Sequence, residues 1–419
     1  MGSNVMAFDI IKNILEIAVD FWWVLLPAVL FFFFIEYRLT HKAVEKREKI
    51  EWVMLELRVP RDNVRPPKAM EQVFSALHAV KGWIAIEIVA TIQEFRFYFR
   101  VPTGARKLIE SALLSQYPGA ELIETEDYLK KLPEKLPDGT YDLWGTDMML
   151  KKEDPYPIRT YLAFESPSAT EEKEKGIDTI APLLEAMSGI DGTETIILQI
   201  LIRPTDKGNK WQENGKKIVA KIAGRKEESK PTLLDHAGIF AKNLIQAPAK
   251  QPEWPGKPEE KPQSVPNLTE GEKWIMKSIE NKIAKLGFET NIRFLLIDKE
   301  GSLNKNHVLA LTGAFRQLNT QDLNAFDADE ETTTEPPEEW YVRGKNEKLK
   351  GRKEAIYGMC RARFYRGQKK LSSSPGKSFV LSTEELATVF HLPTIAVGAP
   401  MLRVIQSKKG GAPVEVSKS

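Results

Sequence analysis

Cysteine is almost missing from this chain: Cys360 is the single one in 419 residues. No intramolecular disulfide can form, and a lone thiol fits a reducing compartment. Histidine is scarce as well. The five, at 41, 78, 236, 307 and 391, are scattered, and with one cysteine they give no familiar metal-ligand spacing. Net charge is nearly absent, +2 from 60 basic and 58 acidic residues. That balance argues against a globally basic nucleic-acid binder and leaves local patches open. No G-x-S-x-G occurs, so there is no nucleophile elbow. The nearest approach to a phosphate-binding loop is Pro375-Gly376-Lys377-Ser378, but Leu371 stands where the pattern needs its first glycine. Cys360, in GMCRAR, reads as a structural thiol on a helix, His78 as a core or boundary side chain, and His391 as a helix-end cap. Nothing here asks for an enzyme, and no cofactor or metal is implied.

What the chain does have is one long apolar run. Residues 21–35 read FWWVLLPAVLFFFFI, and the pattern extends upstream to Ile14 with Glu16 and Asp20 as its only charges. A helix from 14 to 35 would be roughly 33 Å long, enough to cross a bilayer. Trp22 and Trp23 suit a membrane interface, with Phe21, Phe31, Phe32, Phe33 and Phe34 in the apolar body. Pro27 is tolerable, because a membrane helix can re-satisfy the backbone group it frees. Arg38, Lys42, Lys46, Arg47 and Lys49 follow the run, while only Lys12 precedes it. The positive-inside bias therefore predicts a single-pass protein of the inner, cytoplasmic membrane with its carboxyl-terminal bulk in the cytoplasm.

Beyond a polar helical extension (residues 36–50) the pattern becomes compact. Strands are expected at Trp52–Val59, Trp83–Thr91, Phe95–Val101 and Ala120–Thr125, and helices at Pro67–Val80 and Gly104–Gln116. In 95–101 the Phe positions alternate with Arg96, Tyr98 and Arg100, the period of a half-buried strand. This β-α-β-β-α-β order is the split βαβ of a ferredoxin-like sandwich, which has its helices on one face. Further on, Thr140–Leu150 and Ile158–Phe164 read as strands, Gly176–Met187 as a helix, and Thr193–Ile202 as a central strand buried on both faces. Residues 211–222 can form a basic helix. Residues 226–267, with six prolines in their second half, read as an insertion. After it come a helix at 268–286 with Trp274, Ile275, Ile279 and Ile283 on one stripe, a strand at 289–298, a helix at 303–318 and a short strand at 323–326. Taking 158–164 as first strand gives a second split βαβ. The expected fold is α+β: a transmembrane helix in 1–50, one ferredoxin-like domain in 51–127, a second in 128–330 carrying the insertion, and a tail in 331–419.

In that tail, residues 322–339 hold eight acidic and no basic residues, and 343–370 eleven basic and two acidic. Arg343, Lys350, Arg352, Lys353, Tyr357, Arg361, Arg363, Phe364, Tyr365 and Arg366 form a candidate contact for nucleic acid or a protein partner. The bland alternative is a solvated helix paired with the acidic run. Ser382 and Glu385 mark a capping box opening a helix through Phe390, and 404–419 read as disordered.

Several stretches carry a resemblance: LRVPR (57–61) before AMEQVF (69–74), ILIRP (200–204), KLGFE (285–289), GAF (313–315), and above all LSTEELAT (381–388) running into FHLPT (390–394). In these the chain resembles, over about 14–408, the membrane-anchored, non-motor region before the motor of conjugation-type (type IV secretion-like) ATPases related to HerA, FtsK and TraC. The resemblance implies a scaffold or adaptor at the membrane, with a hexameric HerA/FtsK-like ATPase or self-association as partner. The family's motor would begin beyond Pro413 and this sequence ends at Ser419, so no Walker residue is carried over. The motor is then a separate polypeptide, or the chain a stand-alone relative, or the sequence a piece of a longer one. The alternative expectation is a membrane-tethered nucleic-acid-binding protein using 343–370.

Overall fold

The computed structural model describes residues 50–60, 62–164, 178–190, 192–206, 210–225, 268–335, 345–363 and 378–395, with isolated positions at 26, 27, 31, 404 and 405. Two units divide the chain, Met1–Glu51 and Trp52–Ser419. Most of the expected membrane span, including Phe21, Trp22, Trp23, Phe32, Phe33 and Phe34, lies outside the described residues; Phe31 is within them and exposed. Among the described residues no helix is long and apolar enough to cross a membrane.

The second unit is α+β, with one mostly antiparallel sheet. Its first half runs β1 (Trp52–Pro60), α1 (Pro67–Leu77), β2 (Ile84–Thr91), β3 (Phe95–Pro102), α2 (Arg106–Gln116) and β4 (Glu121–Thr125). The strands lie in the order β4-β1-β3-β2. The second half runs β5 (Tyr141–Leu150), α3 (Ala181–Ser188), β6 (Thr195–Pro204), α4 (Lys210–Ile222), α5 (Glu270–Ile283), β7 (Gly287–Lys299), α6 (Lys305–Arg316) and β8 (Phe326–Ala328). It has the same internal order, β6-β7-β5-β8. The halves meet where β2 and β6 pair antiparallel over eight residues, Ile84 opposite Ile202 to Thr91 opposite Thr195. α7 (Lys345–Ala362), β9 (Phe379–Ser382), α8 (Thr383–Val389) and β10 (Val404–Ile405) complete the unit. β9 joins β7 antiparallel and β10 joins β1 parallel.

Period-two alternation sorts the side chains to two faces. One face presents Leu55, Ile86, Phe97, Leu198, Phe294 and their neighbours to α1, α2, α3, α6 and α8, and this is the main core. The other presents Met54, Val89, Tyr98, Ile197, Leu295 and Ile297 to α7 and to the segment around Tyr128, Leu129 and Leu136. Helices were expected on one face only. The strands carry enough apolar side chains on the second face to bury α7 there. Gly145 on β5 makes room for it: a Cβ there would sit 3.1 Å from Ile356 Cδ1 and from the Phe294 carbonyl oxygen.

Three expectations are corrected. Residues 158–164 form no strand; they end in a 3-10 turn, Tyr161–Phe164. The Ile158 amide donates to the Glu385 carboxylate and the Tyr161 amide to Thr388 Oγ1, at 2.9 and 3.0 Å, so neither is free for a ladder. The first strand of the second half is β5 instead. Trp274 is 47% exposed and leaves the stripe of Ile275, Ile279 and Ile283. Within 404–419, expected to be without structure, Val404 and Ile405 pair as β10, opposite Val59 and Pro60. The insertion 226–267 lies outside the described residues.

Candidate functional site

Beneath α7, polar residues stand in the middle of four strands, two of them otherwise apolar at their centres. Glu87 stands in IAIEIVAT (β2), Gln199 in TIILQILIRP (β6) and Arg293 in GFETNIRFLLIDK (β7), while Asp147 comes from β5. Register places them side by side: Glu87 opposite Gln199, Gln199 opposite Arg293, Arg293 opposite Asp147. A straight polar row thus crosses four adjacent strands, every member fully buried.

Burying such groups is costly unless each finds a partner. Arg293 Nε donates to Asp147 Oδ1 at 2.8 Å, and Arg293 Nη1 donates to Gln199 Oε1 at 3.1 Å. Gln199 Nε2 donates to Glu87 Oε1 at 2.8 Å and to the Cys360 carbonyl at 3.2 Å. The amide of Gln199 therefore links a cation on one side to an anion on the other. From the end of α7, Arg363 completes the set. Its Nε donates to Glu87 Oε1 at 2.7 Å and its Nη1 to Asp127 Oδ2 at 2.6 Å. Arg363 has φ +48°, a left-handed conformation unusual for a long side chain, and these charge-assisted bonds hold it there. Burial works against the Arg363 charge, but Glu87 and Asp127 overcome it and raise its pKa above the ordinary arginine value. Burial likewise opposes the Asp127 carboxylate, yet Arg363 and the Leu129 amide hold it below the usual aspartate range. The adjacent Cys360 thiol is pushed up to about 12 by burial.

The candidate residues of 343–370 divide three ways. Arg343, Phe364, Tyr365 and Arg366 lie outside the described residues. Lys350 is exposed, 4.0 Å from Glu354. The other five turn inward. Arg352 donates to the Thr333 carbonyl at 3.3 Å, and Lys353 to both Asp142 oxygens at 2.6 Å. The Tyr357 hydroxyl and Arg361 Nη1 both donate to the Pro133 carbonyl. Arg363 enters the polar row. These five tie α7 to β2, to β5 and to the segments around Asp127, Pro133 and Thr333.

Sequence reading missed Glu87, Asp127, Asp147, Gln199 and Arg293. A signal for two of them, Glu87 and Gln199, was present: one polar residue at the centre of an apolar strand asks for a partner across the sheet.

On the helical face, Lys282 and Glu385 form a second buried pair at 3.1 Å, each 1% exposed. The expected capping box at Ser382 is present, so Glu385 serves the helix start and the ion pair together. A third buried pair joins His391 Nε2 to Asp178 Oδ1 at 2.7 Å, with the Thr394 amide and hydroxyl on Oδ2 at 2.9 Å. Burial opposes the Asp178 charge, but His391 and Thr394 hold its carboxyl at about 2. His391 Nδ1 faces the Ala387 carbonyl at 2.9 Å, at the end of α8. His78 is half-buried, its Nε2 3.2 Å from the Gly287 carbonyl. A cleft of about 430 Å³ opens between the β2–β3 turn and the end of β4, with Tyr98, Tyr128, Arg96 and Lys131 in its wall. Among the described residues no three His, Cys, Asp or Glu side chains converge as a metal site.

A family described as a domain of unknown function (DUF8128) matches residues 37–401. The chain belongs to that family. The DUF8128 match spans both halves of the sheet, the whole polar row and the β9–α8 segment. No curated protein matches the chain.

Proposed function

We propose that this DUF8128 protein is a membrane-anchored, non-enzymatic scaffold or adaptor of a type IV secretion-like or DNA-translocation ATPase system. In this reading a single span in 14–35 holds it in the inner membrane, with the bulk in the cytoplasm. Two ferredoxin-like halves form the platform. Each follows a β-α-β-β-α-β path, interrupted in the second half by α4 and α5 between β6 and β7, with its first strand between its third and fourth, which supports that reading of the halves.

The observation that carries the proposal is the path of the carboxyl-terminal segment. β9 adds to β7 in the second half. α8 then packs on α1 in the first half. Asn63 Nδ2 donates to the Leu392 and Pro393 carbonyls, at 3.2 and 2.9 Å, and the Ile395 amide donates to the Asn63 carbonyl at 2.8 Å. β10 finally adds to β1. Described residues of this segment therefore pair with both halves, and β10 lies beside β1, the strand that follows residues 1–50. A platform between a membrane anchor and a motor would be held together by such pairing across its two halves. The partner in this reading is a separate hexameric ATPase of HerA/FtsK type, or further copies of the chain. The nucleic-acid reading is less well supported, since Arg352, Lys353, Tyr357, Arg361 and Arg363 bond within the chain.

The test is affinity capture of the full chain from its native membrane in detergent, with bound chains identified by mass spectrometry. Recovery of a HerA/FtsK-like ATPase is the expected result. Recovery of the chain alone or with itself, even after crosslinking, would remove the motor from the proposal and leave a self-assembling scaffold.

A further inference from the structure

Between β6 and β7 the chain makes two helices, α4 and α5. Gln212 Nε2 donates to the Ile283 carbonyl at 2.8 Å. A Cβ on Gly215 would fall 2.6 Å from Ile283 Cγ2, and one on Gly287 would fall 2.7 Å from the Trp211 ring. The first turns of α4 thus meet the end of α5 and the start of β7, so the pair is zipped close to the sheet and runs antiparallel from there.

Away from that zip the pair is amphipathic and incompletely covered. Ile218, Val219 and Ile222 of α4 are only half-buried, and Trp274 of α5 is 47% exposed. Cations flank the apolar stripe of α4 on both sides. At helical spacing Lys216 falls on one flank and Lys221 on the other, while Arg225 follows the helix end beyond Gly224 (φ +66°); all three are exposed. Over 210–225 there are five basic residues and one acidic, Glu213. At the opening of α5, Glu270 lies 2.7 Å from Lys273, while Glu272 bonds Thr269 in the capping box and keeps its charge.

We propose that this end of the α4–α5 pair is a contact surface for an anionic lipid bilayer. The inference rests on the membrane-anchor reading, which brings a bilayer within reach. An apolar stripe flanked by cations, with an outward tryptophan beside it, is the chemistry of a helix lying in the headgroup region. Lysine and arginine stems reach along the apolar surface while their charges meet lipid phosphates. Nucleic acid would use the same cations but gains less from the half-covered isoleucines.

The test uses the full chain in lipid nanodiscs, with Lys277→Cys carrying an environment-sensitive fluorophore one turn from Trp274. Cys360 is fully buried, so the label goes to position 277. Discs containing phosphatidylglycerol should shift the emission to the blue relative to phosphatidylcholine discs, and high salt should reverse the shift. Each basic residue near an anionic surface is worth about a factor of five. Lys216→Gln, Lys221→Gln and Arg225→Gln together should therefore weaken the contact on the order of a hundredfold. Equal emission in both discs would overturn the inference, as would a shift produced by duplex DNA and not by lipid. Alkaline carbonate extraction of native membranes tests the anchor separately. If the chain is stripped, the anchor reading falls, and the labelled chain is then read on added phosphatidylglycerol vesicles, where no blue shift would overturn the surface inference too.

Discussion

Arg293 and Phe294 are neighbours on β7 and stand on opposite faces of the sheet. Phe294 enters a broad apolar core and packs edge-on against Phe315, ring centroids 5.3 Å apart. Arg293 enters a narrow polar row and bonds Asp147 and Gln199. Both are fully buried. The helical face is held by non-directional burial, which accepts any close packing of about the right volume. The α7 face is held in part by directional bonds that are satisfied in one register only. A one-residue slip of β7 would send Arg293 into the apolar core. The first face stabilises the sheet, and the second specifies how its two halves and α7 align.

Substitutions at these neighbours should break that contrast most sharply. Arg293→Met leaves Asp147 buried without its cation, at an expected cost of about 3–5 kcal/mol in urea unfolding. Adding Asp147→Leu should recover much of the loss, because apolar replacement of a whole buried pair is often near neutral. Phe294→Ala should cost a similar ~3–5 kcal/mol with no second-site recovery from the other face. If Arg293→Met cost no more than a surface charge, the polar row would not hold the register.

A smaller effect is expected at the edge of the row. Arg363→Gln removes the cation shared by Glu87 and Asp127, and α7 can respond by loosening locally. The amides of α7 should then exchange with solvent faster, while those of β2 and β6 keep most of their protection. Uniform acceleration through the whole sheet would mean that α7 and the strands open as one unit.

The acid response sharpens the comparison on the helical face. The Asp178 carboxyl is depressed from about 3.8 to about 2 in the folded chain. Its contribution is therefore fully present above the unfolded value and is lost as pH falls toward 2. The difference corresponds to roughly 2 kcal/mol. Asp178→Asn should flatten the stability profile in that window; an unchanged acid limb would show that other carboxylates govern it.

The gentlest probe is the Cys360 thiol. With its pKa pushed up to about 12 by burial, it should stay unreactive to a thiol reagent at neutral pH in the folded chain and react on unfolding. Labelling of the native protein at the rate of a free thiol would place the end of α7 off the sheet.

Much of the strand and helix pattern was legible because its signal is local. The alternation in FRFYFR, the proline opening α1 and the capping box at Ser382 each depend on residues a few positions apart. The strand expected at 158–164 failed because its amides bond Glu385 and Thr388, more than 200 residues away in sequence. The basic stretch was read outward because charge in a sequence carries no direction. Its counter-charges, Glu87, Asp127 and Asp142, lie far upstream and become partners only once the sheet forms.

By itself, then, the sequence determined the alternation of apolar and polar positions, the helix starts, the α+β class and the long apolar run near the amino terminus. Each follows from steric and solvation preferences acting over a few residues. The tertiary structure alone decided that two halves share one sheet through β2 and β6, that Glu87, Gln199, Arg293 and Asp147 line up, and that α7 turns its cations inward. These are matters of register and long-range pairing. Their energies exist only after distant segments meet and water leaves the space between them.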